Sequence, residues 1–122
     1  MNASARYLEV QVATASPERL VLMCLDGSLR FIRGAREALS RGEKEEAHRL
    51  ILRAQEIVAE LKGSLDLQYG ELPRRLYALY DFLQERLVEA NIQKEERFLG
   101  EAERVLVPLR DAWREVAGGR TA

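Results

Sequence analysis

Glu45-Glu46-Ala47-His48 sets a carboxylate three residues before a histidine, and a Glu-x-x-His pair on a bundle helix is half of a di-iron carboxylate site. The other half is missing, because the 122 residues contain one histidine. At about 100° per residue, His48 lies about 100° and Glu45 about 160° from the apolar stripe of their helix, so both are expected to face solvent. Cys24 is the single cysteine, which excludes intrachain disulfides and Cys/His zinc clusters. It sits in the run Leu20-Val21-Leu22-Met23-Cys24-Leu25 with no histidine or basic residue adjacent to lower its pKa, so buried packing is the expected role. Asp26, Ser28 and His48 differ too much in helical phase to form a triad, and no glycine-rich loop precedes a helix in a way that would cradle phosphate. The charge runs Glu43–Glu46 and Lys94–Arg97 read as solvated helix faces. No catalytic residue, cofactor or metal ligand is expected, and the chain does not read as an enzyme.

Composition narrows the field from another side. Nineteen Lys and Arg stand against 20 Asp and Glu, a net charge of −1, which lacks the basic excess that nucleic acid or an anionic lipid surface would demand. With 47% hydrophobic and 32% charged residues the chain reads as one soluble, core-forming domain. A chain of this length buries about two thirds of its unfolded surface, so it needs no staple to fold. The six-residue apolar run from Leu20 to Leu25 is too short to span a membrane or to form a signal-peptide core, so residence in the reducing cytosol, without membrane insertion, is expected.

The elements that position these residues are helices. Residues 1–15 carry a loose alternation of Tyr7, Val10 and Val12 and read as an extended N-terminal arm. Ser16-Pro17-Glu18 then supplies an N-cap, a proline where its missing N–H costs nothing, and an acid for the helix dipole. The first helix is predicted over 17–41, ending at Gly42. Ala47, Ile51, Ala54, Val58, Leu61 and Leu65 form the seam of a second helix over 43–66, in which Gly63 implies either a close helix contact or fraying toward the 66–70 turn. Leu72, Leu76, Leu79, Tyr80, Leu83, Leu87 and Ala90 stripe a third over 72–91. Phe98, Ala102, Val105, Leu106, Leu109, Trp113 and Val116 stripe a fourth over 95–117, with Pro108 expected to kink it and a tail over 118–122. Four helices joined by short turns make an all-α, antiparallel up-down-up-down four-helix bundle in a single domain.

Apolar surface exceeds what four seams require. Val21, Leu25, Ser28, Ile32, Ala35 and Leu39 stripe the first helix, but Leu20, Cys24, Phe31 and Ala38 widen that stripe on one side and Leu22 and Leu29 on the other. The arc reaches about 200°, with Met23 behind it, against the roughly 100° of an ordinary surface helix. Tyr77, Phe82, Val88 and Val107 also fall off their stripes. The first helix can be central with residues 1–15 folded over it, the surplus can be a groove for an amphipathic segment of a partner, or both can hold, because an arm that covers a groove can be displaced by a ligand. A generic helical adaptor or a homodimer joined through this surface is the alternative use.

Thr14-Ala15-Ser16-Pro17-Glu18-Arg19-Leu20-Val21-Leu22-Met23, followed by Asp26-Gly27 and Leu29-Arg30-Phe31-Ile32, resembles the first-helix signature of the flagellin-specific export chaperones, the FliS family. Further matching blocks are Ala54-Gln55-Glu56-Ile57-Val58-Ala59-Glu60-Leu61, Ser64-Leu65-Asp66, Gly70, Leu79-Tyr80-Asp81-Phe82-Leu83, Arg86-Leu87-Val88-Glu89-Ala90-Asn91 and Leu109-Arg110-Asp111-Ala112-Trp113. The chain departs from the family at Cys24-Leu25, where Leu-Tyr is usual, and at Pro108.

The resemblance implies a cytosolic bacterial bundle that binds the disordered C-terminal segment of flagellin, blocks premature polymerisation and delivers the subunit to the type III flagellar export apparatus without ATP or a cofactor. It implies contact with the cytosolic domain of the export gate, and in some bacteria with other flagellar regulators. It also implies an arm whose aromatic residue, matched by Tyr7, packs on the bundle at a site shared with the client. The client-binding or arm-docking residues expected on these grounds are Tyr7, Val10, Val12, Leu20, Leu22, Met23, Phe31, Tyr77, Phe82, Val88 and Val107. Trp113, in phase with its seam, is expected in the core.

Overall fold

Ser16 begins the bundle as the sequence pattern requires: its backbone is extended and its hydroxyl accepts from the Arg19 N–H at 3.2 Å, with Pro17 in the first turn. The computed structural model describes residues 6, 10 and 14–118. Four helices follow in order: α1 Pro17–Ser40, α2 Lys44–Gly63, α3 Glu71–Gln93 and α4 Glu96–Ala117. Gly42 takes φ +73° in the α1–α2 turn, a conformation that side chains with a Cβ rarely adopt. Gly63 is the last residue of α2, three residues before the expected end, and a Cβ there would meet nothing within 4 Å. It therefore terminates the helix and makes no close helix contact. The helix α3 runs two residues past its expected end, to the left-handed Lys94, whose ammonium returns to the Asn91 carbonyl and side chain at 2.6 Å each.

Each helix packs on its two neighbours in a closed square, α1 on α2 and α4, α3 on α2 and α4. Four helices that alternate in direction around a shared core give the antiparallel bundle. Leu25, Ile32, Ile51, Leu83, Leu87, Leu99 and Leu106 fill its centre with no exposed surface. Gly27 and Gly34 let α1 approach α2: a Cβ at Gly34 would stand 3.2 Å from Leu50 Cδ1, and one at Gly27 would stand 3.4 Å from Ile57 Cδ1. The helix α4 continues through Pro108, which lies on its exposed side, as does Arg104 four residues earlier, whose freed carbonyl can meet water.

Three positions of the arm depart from the extended chain expected over 1–15. At its described positions, Arg6, Val10 and Thr14, the backbone is helical and not extended, and the Thr14 hydroxyl donates to the Val10 carbonyl at 2.9 Å.

Candidate functional site

The two ends of the bundle differ in chemistry. Toward the end where α1 closes, polar side chains tie helix to helix. Arg36 donates to Glu96 at 2.6 Å and to Glu103 at 2.7 Å, and His48 Nδ1 lies 2.9 Å from Asn91 Oδ1. His48 and Glu45 are exposed, as their phase predicts, and among the described residues no group of three or more His, Cys, Asp and Glu is placed to hold a metal ion.

At the other end, where α1 begins, the seams run out before the helices do. Leu72 and Val116, which the stripes place in the core, are 63% and 57% exposed. A cavity of about 640 Å³ opens there, lined from α1 by Pro17, Leu20, Val21 and Cys24, from the end of α2 by Glu60, Leu61, Ser64 and Leu65, from α3 by Leu72, Leu76 and Tyr80, and from α4 by Trp113. The turn 64–70 extends this apolar surface, with Leu67 and Tyr69 both exposed. The loop ends of an antiparallel bundle carry the last turn of each seam, and no fifth element covers those turns among the described residues.

Within the cavity charge is suppressed. Burial raises the Cys24 thiol above its ordinary value, and the negative charge of Glu60 raises it further. Burial, with Cys24 nearby, pushes the Tyr80 phenol up to about 12. Both groups are neutral near pH 7, so Glu60, exposed at the rim, is the one acidic or basic side chain of the lining that carries charge. A thiol held protonated is a poor nucleophile.

The expected site residues are scattered. Leu20 lines the cavity at 37% exposure. Leu22 is buried and so is not free surface. Phe31 and Val107 are half-buried against the core, and Met23 is half-buried. Tyr77, Phe82 and Val88 are exposed on α3 at other places, Tyr77 with the Lys62 ammonium 5.2 Å from its ring centroid and Phe82 with the Arg86 guanidinium at 5.8 Å. Val10 is exposed, and Tyr7 and Val12 lie outside the described residues. Of the expected residues that are described, Leu20 alone lines the cavity.

Sequence reasoning overlooked the larger part of the lining, because Val21, Leu61, Leu65, Leu72, Leu76, Tyr80 and Trp113 are in phase with their seams. Trp113 itself is half-buried, packing on the core with one face and on the cavity with the other. The available signal was the apolar content of the turn, Leu65, Leu67, Tyr69 and Leu72, where polar residues would ordinarily stand.

Comparison with known proteins agrees with this architecture. The family model described as "Flagellar protein FliS" matches residues 1–120. The flagellar secretion chaperone FliS of Bacillus subtilis strain 168 is 36% identical over 93% of this chain and 85% of its own length. The flagellar secretion chaperone FliSB of Pseudomonas aeruginosa is 35% identical over 93% and 94%. A solved structure titled as a flagellar chaperone from bacteria superimposes with a TM-score of 0.78 over 97% of both chains at 21% identity, which establishes the shared fold. These relatives are chaperones and not enzymes, and no helix among the described residues is long and apolar enough to cross a membrane. A family model that covers nearly the whole chain, and relatives above one third identity across it, place the chain in the FliS family of flagellar secretion chaperones.

Proposed function

We propose that the chain is a stoichiometric export chaperone in the bacterial cytosol that binds the disordered C-terminal segment of flagellin, prevents its premature polymerisation and delivers it to the type III flagellar export apparatus, meeting the cytosolic domain of the export gate. The observation that carries this reading is the apolar cavity at the open end, about 640 Å³ with one charged side chain on its rim. A folded client would offer little to such a surface. A disordered segment can lay successive apolar side chains along it, and Leu20, Tyr69 and Leu72 around the opening extend the contact. Binding must offset the entropy lost by the segment, so contact spread over several apolar side chains, with few charges, suits capture followed by release. Neither ATP nor a cofactor is needed for such an exchange.

Titration calorimetry with the C-terminal flagellin segment of the same organism tests the reading. Saturable one-to-one binding at about micromolar Kd or tighter is expected. A heat trace indistinguishable from dilution, with light scattering showing a concentration-independent dimer, would instead assign the apolar end to self-association.

A further inference from the structure

A second cleft, of about 240 Å³, lies between α1 and α4 and is lined by Asp26, Leu29, Arg30, Arg33, Arg110 and Arg114. Four arginines and one aspartate line it, in a chain whose net charge is −1. Their commitments differ. Arg110 is a fixed wall, 14% exposed, donating to Asp26 at 3.0 Å and to Asp111 at 2.8 Å. Arg33 is held by Glu103 at 2.8 Å. Arg114 reaches only Asp111, at 4.0 Å, and its side chain is 59% exposed. Arg30 is exposed and makes no hydrogen bond or ion pair among the described residues. Leu29, 2% exposed, gives the cleft an apolar floor.

We infer that this cleft docks an acidic segment of a partner polypeptide, whose carboxylates are received by Arg30 and Arg114. The guanidinium fork matches a carboxylate, and the pairs already made around the cleft, with Asp26, Asp111 and Glu103, are of that kind. Leu29 suits the methylenes of an acidic side chain or an apolar neighbour in the segment. Phosphate polyanions are disfavoured because the chain has no basic field beyond the cleft to follow a long backbone. The cleft lies between α1 and α4, while the apolar cavity opens at the end of the bundle among all four helices, and the two share no lining residue, so the acidic segment and an apolar client can be held together. This inference stands apart from the identity of that client.

The test uses the full chain and a fluorescein-labelled deca-glutamate peptide, with anisotropy as the readout. Saturable binding is expected in about 20 mM salt, weakened about tenfold or more at about 150 mM. The double variant Arg30→Ala/Arg114→Ala should lose a further tenfold or so, while Arg49→Ala/Arg53→Ala on α2 should bind like the parent, with unchanged helical circular dichroism for both. The inference is overturned by an absence of saturable binding in low salt, by equal loss in the two double variants, or by tighter binding of a labelled oligonucleotide of the same length.

Discussion

Cys24 on α1 and Tyr80 on α3 line the same apolar cavity, where burial lifts both above their ordinary values and the phenol, with Cys24 nearby, stands at about 12. The only thiol of the chain is therefore placed to report on the occupancy of the groove without a change of sequence.

Alkylation of Cys24 by iodoacetamide near pH 8 should run more slowly than that of a short cysteine peptide, because less of the raised thiol is ionised. Saturating flagellin segment should slow it further, followed by intact mass. An unchanged rate in the presence of bound segment would remove the end cavity from the client site.

Leu20 and Leu72 offer the most direct substitutions. Both are exposed in the unliganded bundle, so Leu20→Glu and Leu72→Lys should leave the melting temperature within a few degrees of the parent. If the client covers them, each should weaken its binding about tenfold or more, as the burial of a leucine contributes about 1.5–3 kcal/mol. Val88→Lys, on another part of α3, should change affinity much less, and calorimetry compares the three.

Ser28 is fully buried and its hydroxyl has no hydrogen-bond partner. It stands on the core stripe of α1, where the hydroxyl loses water and gains nothing. Ser28→Ala removes the orphaned group and improves helix propensity, so stability should rise by about 1 kcal/mol, read as a melting temperature higher by several degrees. A decrease would mean that the site needs the oxygen for filling or for a bond made in solution.

Glu103 is raised by burial, but hydrogen bonds from Arg33 and Arg36 outweigh that effect and hold its pKa below the ordinary value. A depressed carboxylate stabilises the fold above its unfolded pKa, and that contribution is lost as pH falls through the folded value. Glu103→Gln should therefore lose about 1 kcal/mol near pH 7, after allowing for the partial exposure of the arginines, and the difference from the parent should shrink as the pH falls below the ordinary carboxylate range. Urea unfolding at the two pH values measures it, and a loss that does not depend on pH would assign the effect to packing.

Much of this protein is legible along the chain because helix phase and caps are local properties. Ser16-Pro17 and Gly42 bound α1, the three- and four-residue steps from Ala47 to Leu61 predict buried positions that are buried, and single copies of cysteine and histidine remove whole classes of chemistry. The matching blocks point to the family by the same local means. Tertiary structure alone decided which apolar residues remain uncovered. Leu72 and Trp113 carry the same periodic signal as Leu83 and Leu106, yet the first pair reaches the open end and the second is sealed between neighbours. Likewise Arg30 and Arg114, 84 positions apart, share a cleft only because α1 and α4 lie side by side. Periodicity specifies the direction in which a side chain leaves its own helix, whereas a cavity depends on where the neighbouring helices stop, and that is a relation among all four.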